Sequence, residues 1–425
     1  MPEVIIPTDA HSYIKDKYGS FGRYVNTSRH ITNIMDGLKP SYRKTIFSAM
    51  EVAKDKMAKT INIAANTVNR YSVHGDASIV PIVSNLVNAG IFNGQGNHGG
   101  LFLTGLKADP AAPRYTEAMM NPYYQELFSK LLGFVPRSEN EHGNMEPDYI
   151  PTPIPLSLVF GSLGIGFGTG QSMPAFTPKS MLNAYLNDNP ELLESSYGIE
   201  ITNKDSLLSL WNTGKGFVHY KYKVYRSTDN RKVYLEGTPM IIPNISGLKS
   251  YESQGRVQIL DESADIQKLS FQKIGAVRFP TIDEIYELVN KSSIFSKAYY
   301  IRVNVNGVIR QIGLKSWIDI TYKNYKKLMQ EYISKSIKDL EYSILIYSNF
   351  RKVADLIINH KDLTYQQIAD QVGITIDVVN NISGKTLHML RTFNPESKIE
   401  KCKSDIQTLS SLNIDQYIKD TINAM

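Results

Sequence analysis

The last hundred residues carry the pattern that most limits what this chain can fold into. Apolar side chains recur there at steps of three and four among charged ones, in two stretches: Tyr325, Met329, Ile333, Ile337, Leu340 and Ile344, then Ile399, Cys402, Ile406 and Leu409. Such a period places the apolar residues along one side of a long helix. At a rise of about 1.5 Å per residue, two such helices predict an antiparallel coiled coil tens of ångströms long. Residues 353–393 between them predict a small helical globule at its tip.

Part of that globule has the form of a DNA-reading motif without its charge. Residues 363–374 resemble a repressor helix-turn-helix, but Thr375–Ile382, in the place of the recognition helix, contains neither Lys nor Arg. Reading of DNA by such a helix requires side chains that reach phosphates and base edges. The pattern therefore favours packing or a dimer contact for this unit.

Composition restricts the remaining possibilities. A length of 425 residues predicts roughly two to four domains. The formal charge of +6 suits a polyanionic partner. Cys402 is the single cysteine, which excludes an intramolecular disulfide and a Cys-x-x-Cys metal site. With no long apolar run and no signal-like N-terminus, we expect a cytoplasmic protein that does not contact a membrane.

A tyrosine lies at the end of a stiff loop. In residues 109–117 two prolines fix the backbone before the pair Arg114-Tyr115. A guanidinium beside a phenol favours its ionised form and can also hold a phosphate. The pair is therefore suited to nucleophilic attack on a phosphodiester with a covalent tyrosine intermediate. The alternative is a structural role, as for most of the 26 tyrosines.

Basic residues cluster earlier, around a predicted turn at Asp36-Gly37. Ser41 is the expected cap of the helix that follows, which leaves Lys39, Arg43 and Lys44 near a helix N-terminus, where backbone amides also attract phosphate. A solvated basic face is the other interpretation of these three residues.

Two further segments complete a possible DNA-binding module. His74 precedes an apolar helical series, and residues 90–100 form a glycine-rich loop. Helix, basic turn, helix and glycine-rich wing over about 25–125 predict a winged-helix module. A structural histidine is the alternative for His74.

Glycines alternate over residues 161–170, but Thr169 stands where a dinucleotide-binding loop would carry its third glycine. A tight strand and turn that presents Ile165 outward is one interpretation, and such a side chain could wedge between base steps. From this segment alone, core packing of Ile165 is favoured. Elsewhere the patterns predict a helix over Pro122–Leu132 and an α+β unit over about 174–314 with a hairpin at Asn306-Gly307. Residues 1–25 show no clear period and are interpreted as an arm or a partner contact.

Five segments occur together in the order and approximate spacing of one known family. They read Asp-Gly-Leu-Lys-Pro (36–40), His-Gly-Asp (74–76), Asn-Gly-Gln-Gly-Asn (93–97), Ala-Pro-Arg-Tyr-Thr-Glu (112–117) and Gly-Ile-Gly (164–166). With them the chain resembles the DNA-cleaving subunit of type IIA topoisomerases, the gyrase A family. Its short length looks most like the members from T-even-type bacteriophages, which implies the cytoplasm of a bacterial host.

The resemblance covers nearly the whole chain and implies a multi-domain α+β fold. The implied domains are an arm (1–25), a winged-helix cleavage domain (26–150), an α/β tower (151–315), and a long antiparallel coiled coil (316–425) with a dimerisation globule at about 353–393.

The resemblance also implies roles for single residues. Tyr115 becomes the nucleophile, which forms a 5′-phosphotyrosyl bond, and Arg114 its catalytic neighbour. Ile165 becomes the intercalating residue. The implied phosphate-binding residues are Arg29, Lys39, Arg43 and His74. Lys44 is added to them because it lies in the same basic turn. The implied partners are double-stranded DNA, a second copy of the chain and a separate subunit. Because the sequence has no Asp-x-Asp pair and no phosphate loop, we expect Mg²⁺ and ATP to bind mainly on that subunit.

Two other functions use similar residues. A tyrosine recombinase or type IB topoisomerase also attacks DNA with a tyrosine, but remains linked to the 3′ phosphate. An architectural DNA-binding protein would not use Tyr115 at all.

Overall fold

The computed structural model describes residues 9–73, 75–101, 107–196, 198–237, 246–262, 268–275, 278, 280–360, 362–384 and 393–425. The fold is mixed α/β, with more helix than strand. The chain divides into two compact units, one made of residues 1–325 and 421–425 and the other of residues 326–420.

The first unit contains ten helices in its described residues before a very long one begins near its boundary. They are α1 (Ala10–Val25), α2 (Pro40–Val52), α3 (Thr60–Arg70), α4 (Asp76–Asn88), α5 (Pro122–Leu132), α6 (Ser157–Phe160), α7 (Pro178–Asn187), α8 (Ser206–Thr213), α9 (Ser246–Ser253) and α10 (Ile282–Ser292). A π-helical turn, Asn26–His30, continues α1, and a 3₁₀ turn covers Pro190–Leu192.

Nineteen strands within these residues form six sheets. A three-stranded sheet has the order β1 (Thr32–Asn33), β18 (Arg302–Val305), β19 (Val308–Gln311), and another the order β2 (Ala58–Lys59), β6 (Glu117–Met120), β3 (Phe92–Gln95). The five-stranded sheet has the order β11 (Glu200–Ile201), β12 (Lys215–Lys221), β17 (Ile294–Tyr300), β10 (Thr169–Met173), β9 (Ser162–Gly166). The four-stranded sheet has the order β13 (Lys223–Arg226), β14 (Lys232–Glu236), β16 (Lys268–Lys273), β15 (Val257–Asp261). Two pairs remain, β4 (Gly100–Leu101) with β5 (Lys107–Ala108) and β7 (Arg137–Glu139) with β8 (Met145–Pro147).

Several local predictions are confirmed. Helix α5 has the predicted bounds because Asn121 caps it, its side chain accepting from Tyr123 N, and Pro122 occupies the first helical position. The hairpin β18–β19 turns at Asn306 and Gly307, which both have positive φ (50° and 83°), as a type I′ turn requires.

One local prediction is wrong. Ser41 does not cap α2, since the helix begins one residue earlier at Pro40 and Lys39 holds the cap position without a side-chain bond. Residues 10–25, in which the sequence showed no clear period, form α1, capped by Asp9. The helical period was hidden because α1 leaves most of its large side chains exposed, among them Tyr13, Ile14, Tyr18 and Phe21.

A fully buried carboxylate joins two distant segments of the first unit. Asp36 accepts hydrogen bonds from the backbone N–H of Leu38 (2.8 Å) and of Ile150 (3.0 Å), and its own carbonyl accepts from Leu156 N (2.9 Å). The Arg43 guanidinium lies 3.9 Å from the carboxylate. Burial raises the pKa of Asp36 to about 6, against the opposing effects of Arg43 and the two amides.

The second unit consists of helices alone in its described residues. Helix α11 (Leu314–Asn359) extends into it from the first unit and is followed by α12 (Tyr365–Val372), α13 (Ile376–Ser383), α14 (Glu396–Ser410) and α15 (Ile414–Ala424). Two ion pairs connect α11 to the helices that follow it, Lys326 with Asp415 (2.7 Å) and Arg351 with Glu396 (3.1 Å). The earlier residue of α11 pairs with the later residue of those helices. The returning helices are therefore antiparallel to α11.

A separate apolar core lies at the far end of α11. Its buried members are Phe350, Val353, Ala354, Ile368, Ala369, Val378, Val379 and Ile382. Among the described helices of the chain, none has the length and apolar character of a bilayer-spanning segment.

We predict that the Asp36→Asn variant changes how stability depends on pH. Since the pKa of Asp36 in the folded state (about 6) exceeds its ordinary value of 3.8, its contribution to stability is full below pH 3.8 and is lost as the pH rises through 6. The free energy of unfolding of the wild-type protein should thus fall relative to the variant, by on the order of 3 kcal/mol between pH 4 and 7. Urea unfolding of both proteins measures this, and parallel pH curves would contradict it.

Candidate active site

The loop that carries Tyr115 is fastened to the start of α3 by backbone and side-chain hydrogen bonds. The amide of Ile61 donates to Pro113 O (3.2 Å) and that of Thr60 to Thr116 O (2.9 Å). The buried hydroxyls of Thr116 and Thr60 bond at 2.8 Å. Within the loop, Tyr115 N donates to Ala112 O (2.8 Å) and closes a turn. The backbone at Tyr115 is thus fixed from both sides.

The Tyr115 side chain itself points to solvent, with 67% of its surface exposed. The Arg114 side chain lies over it, with its guanidinium carbon 4.6 Å from the ring centroid. This cation–π contact holds a positive charge against the phenol ring. An exposed phenol beside a cation, on a fixed backbone, can meet a large anionic substrate without rearrangement of the loop.

The glycine-rich segment of residues 90–100 contacts the loop of Tyr115. It is not the irregular loop that its glycines predicted, because Phe92–Gln95 form β3, paired with β6. Gly96 has φ +89°, and a Cβ there would lie 3.0 Å from Tyr115 O, so a side chain would push against the loop. Asn97 O accepts from Ala111 N (2.9 Å). Nε2 of the buried His98 ring lies 3.0 Å from Glu117 O, and its Nδ1 has no partner within the described residues.

The basic residues of α2 are less accessible than the sequence suggested. Lys39 Nζ donates to Leu163 O (2.7 Å), and burial lowers its pKa. The Arg43 side chain is 11% exposed and lies beside Asp36. Lys44 Nζ lies 3.7 Å from a carboxylate oxygen of Glu146. Lys39 thus donates to a carbonyl, and Arg43 and Lys44 lie beside carboxylates.

Arg29 and His30 lie in the π-helical turn directly before β1. Arg29 is exposed, while His30 is partly buried. The pKa of His30 is lowered, first by burial and then by the positive charges of Lys39 and Arg29. The ring is therefore expected to be neutral at pH 7, and the positive charge of the turn comes from Arg29.

Ile165 lies in the hairpin of β9 and β10, residues 162–173. It is 76% exposed, the most exposed of the large apolar side chains in the described residues. The strands leave no room for side chains at the two flanking glycines, since a Cβ at Gly164 would overlap the carbonyl of His30 and a Cβ at Gly166 would overlap Asn26 Oδ1. The strand therefore packs closely on the π turn and presents Ile165 outward.

Helix α2 connects these groups. It packs against α3, α4, β6 and the π turn, while β9 packs on the same π turn. One scaffold therefore carries the Tyr115 loop, Lys39, Arg29 and the 162–173 hairpin. His74 lies outside the described residues; Gly75 after it holds the cap position of α4.

The donor groups for a metal ion are not clustered in the part of the chain that the structure describes. Within the described residues, no three His, Cys, Asp or Glu side chains lie close enough together to hold one. The Mg²⁺ that the resemblance implies does not fit a site built from these residues alone.

Comparisons with known proteins identify the family of the chain. The family model for the A subunit of DNA gyrase/topoisomerase IV matches residues 29–424. The chain belongs to this gyrase and topoisomerase IV family.

Individual relatives in the family are moderately similar. The A subunit of DNA topoisomerase 4 from Borreliella burgdorferi is 36% identical over 194 residues, which is 45% of this chain and 30% of that protein. The A subunit of DNA gyrase from Borrelia hermsii is 26% identical over 378 residues, 79% of this chain and 45% of that protein. The corresponding gyrase protein of Helicobacter pylori strain 26695 is 26% identical over 328 residues, 69% of this chain and 39% of that protein. The chain spans less than half the length of each of these relatives.

Sequence reasoning missed three residues that support the site of this gyrase-family chain. Thr60 fastens the tyrosine loop, His98 lies beneath it, and Asn26 bonds to the 162–173 hairpin. None of them forms a local motif, because each contacts a segment at least 19 residues away along the chain. The adjacent glycines, Gly96 and Gly166, were the available signal, since such glycines often mark close approach of another group.

We predict that Gly164→Ala destabilises the first unit. The added methyl would overlap the His30 carbonyl, so strand β9 must shift, at a cost of about 1–3 kcal/mol. Gly19→Ala is the matched control, because a Cβ at this α1 position meets nothing within 4 Å and helix propensity should leave stability equal or higher. Urea unfolding measures both, and equal midpoints would refute the proposed close packing.

Proposed function

We propose that this chain is the DNA-cleaving and rejoining subunit of an ATP-dependent type II topoisomerase. The supporting observation is the exposed Tyr115 on its fixed loop, with the Arg114 guanidinium 4.6 Å from the ring centroid, in a chain of the gyrase and topoisomerase IV family. Its substrate is double-stranded DNA, and a second duplex passes through the break that it makes.

In the proposed reaction the Tyr115 hydroxyl oxygen attacks a DNA phosphorus. A bond forms between that oxygen and the phosphorus, the bond from phosphorus to the 3′ oxygen breaks, and the phenol proton is transferred overall to the leaving 3′ oxygen. The products are a 5′-phosphotyrosyl link and a free 3′-hydroxyl. One phosphodiester replaces another, so the reverse reaction reseals the strand without an energy source.

Arg114 contributes charge and position in this proposal. Its guanidinium lies over the phenol ring, and it is proposed to turn toward the phosphate and stabilise the charge that develops there. Because the loop is already fixed by bonds to Thr60 and Ile61, little ordering is needed when DNA arrives.

The DNA-binding surface is proposed to extend from the tyrosine loop along the start of α2. Arg29, Lys39, Arg43, Lys44 and His74 are its phosphate contacts. Arg43 and Lys44 lie beside carboxylates, Asp36 at 3.9 Å and Glu146 at 3.7 Å, so they would share their charge between those partners and DNA. Ile165 is proposed to enter the duplex between base steps and kink it.

The domain organisation follows the resemblance: arm 1–25, winged-helix cleavage domain 26–150, tower 151–315, and coiled coil 316–425. A double-strand break needs two tyrosines, which predicts a symmetric homodimer. The globule around 353–393 is its proposed contact. It has its own apolar core, and Tyr365 and Ile376 on its helices are exposed.

Metal and nucleotide are assigned to a separate subunit. Since the described residues contain no suitable donor cluster, Mg²⁺ is proposed to bind mainly to that partner, which also hydrolyses ATP. The assembly would act in the cytoplasm, that of a bacterial host if the chain is a bacteriophage protein.

We predict that Tyr115→Phe abolishes relaxation of supercoiled plasmid and removes the covalent DNA adduct, because the attacking oxygen is gone. DNA affinity should change less than about twofold, since Phe keeps the ring on which Arg114 lies. Assays would use the chain with candidate ATPase subunits, ATP and Mg²⁺. Tyr342→Phe, at an exposed tyrosine of α11, is the control and should be fully active.

The trapped adduct also separates the alternatives. Denaturation of trapped complexes should leave a blocked 5′ end. A blocked 3′ end would favour a recombinase or type IB mechanism, and an adduct that persists in Tyr115→Phe would place the nucleophile elsewhere. If neither wild type nor Tyr115→Phe relaxes plasmid or forms an adduct while both bind DNA equally, an architectural protein is the better description.

We predict that Ile165→Ala lowers the equilibrium yield of cleaved DNA by about tenfold, because a methyl group cannot replace the apolar surface that Ile buries between bases. The fold should be unaffected, since the side chain is 76% exposed. Ile294→Ala is the matched control, as Ile294 in β17 is also exposed (54%). Equal cleavage by both variants would exclude Ile165 as the wedge.

A further inference from the structure

Asn26 makes a two-sided contact with the turn of the 162–173 hairpin. Its Nδ2 donates to Phe167 O (2.9 Å), and its Oδ1 accepts from Phe167 N (2.8 Å). Asn26 is 5% exposed, and 141 residues separate the two partners along the chain. The carboxamide therefore satisfies both backbone polar groups of one residue in a largely buried place.

This pairing depends on the carboxamide itself. An aspartate in its place could accept from the Phe167 amide but could not donate to the carbonyl, and an alanine would leave both groups without a protein partner. The site is also shaped for the side chain, because Gly166 leaves the space that Asn26 Oδ1 occupies. The π-helical turn that starts at Asn26 brings the residue to this position.

The rest of the hairpin is held by separate contacts on both sides of Ile165. The Phe167 ring packs edge-on against Tyr18 and Phe21 of α1, with both centroid distances 5.6 Å. At the other end of β9, Leu163 O accepts from Lys39 Nζ (2.7 Å). Gln171 Oε1 in β10 accepts from Thr32 N (3.0 Å). Ile165 lies between these attachments and is itself exposed.

A side chain that enters a DNA duplex must resist the force that restacking bases exert on it. Unstacking one base step costs a few kcal/mol, and a loosely attached hairpin would move away before the bases separated. The attachment must therefore keep Ile165 in place while DNA yields.

We propose that Asn26 is a positioning residue for DNA deformation. It fixes the backbone at Phe167, so that Ile165 keeps its outward position while the DNA bases press against it. This inference rests on the proposed wedge role of Ile165. Asn26 need not touch DNA in this role. Through Asn26, the end of α1 supports the hairpin that deforms the DNA.

The test measures bending, unstacking and hairpin opening separately. Bending is measured by energy transfer between dyes at the ends of a cleavage-site duplex, unstacking by 2-aminopurine fluorescence at the central step, and opening by hydrogen exchange of the Phe167 amide. All three use the full chain, with saturating chain in the DNA assays. Asn26→Ala should speed exchange at Phe167 and lower the bent-to-straight ratio by about tenfold through loss of two buried hydrogen bonds. Asn26→Asp keeps the acceptor for the Phe167 amide but sets a carboxylate oxygen against the Phe167 carbonyl, so it should also speed exchange and lower the ratio.

Two further variants separate a positioning role from general damage to the fold. Thr27→Ala is the matched control in the same π turn, because the Thr27 hydroxyl bonds to carbonyls of α1 and not to the hairpin. It should bend DNA as wild type does. In an Ile165→Ala background, Asn26→Ala should cause less than about twofold further loss, because both changes act through one side chain.

Each contrary result has a distinct meaning. If Ile165→Ala lowers bending and Asn26→Ala does not, Asn26 is not a positioning residue although the wedge remains. If Asn26→Ala lowers bending equally in the Ile165→Ala background, it acts on the whole fold and the proposal is wrong. If Ile165→Ala leaves bending unchanged, the wedge role fails and the role of Asn26 fails with it. Should Asn26→Ala not fold, Asn26→Asp decides by the same comparisons.

Discussion

The buried carboxylate of Asp36 is the constraint on which the rest of the first unit depends. Its two oxygens accept the amides of Leu38 and Ile150, and its carbonyl accepts that of Leu156. The start of α2 is thereby joined to the segment that leads into the hairpin of Ile165. Burial makes this charge costly, since it raises the pKa of the group to about 6. The bonds it makes connect the two sequence regions that together form the candidate DNA-binding surface.

Near that junction, Tyr115 and Ile165 combine a fixed backbone with an exposed side chain. The backbone at Tyr115 is fixed by Thr60 and Ile61, and that of β9 by Asn26 and Lys39. The side chains of Tyr115 and Ile165 are nevertheless largely in solvent. Groups that must act on a large partner need such an arrangement, because the partner supplies the remaining contacts while the protein has already ordered its own backbone.

Elements defined by local chemistry could be predicted from the sequence. Helix α5 follows from its Asn121 cap and Pro122, and the β18–β19 hairpin from Asn306-Gly307. Exposure of Ile165 was indicated by the family resemblance, because the segment alone favoured core packing. Helix α1 was missed because its exposed aromatic residues conceal the amphipathic period, and Ser41 was mistaken for a cap that Pro40 makes unnecessary. The burial of Arg43 depends on the buried carboxylate of Asp36. The bond between Asn26 and Phe167 joins segments more than a hundred residues apart. No local sequence pattern encodes either feature.

The path of the chain through its two units has a consequence for synthesis. The polypeptide leaves the first unit after residue 325 and re-enters it at residue 421, where the carbonyl of Thr421 accepts a bond from the Tyr123 hydroxyl. The second unit is thus an insertion between two segments of the first. The ribosome therefore has to make the whole second unit before residues 421–425 can complete the first one.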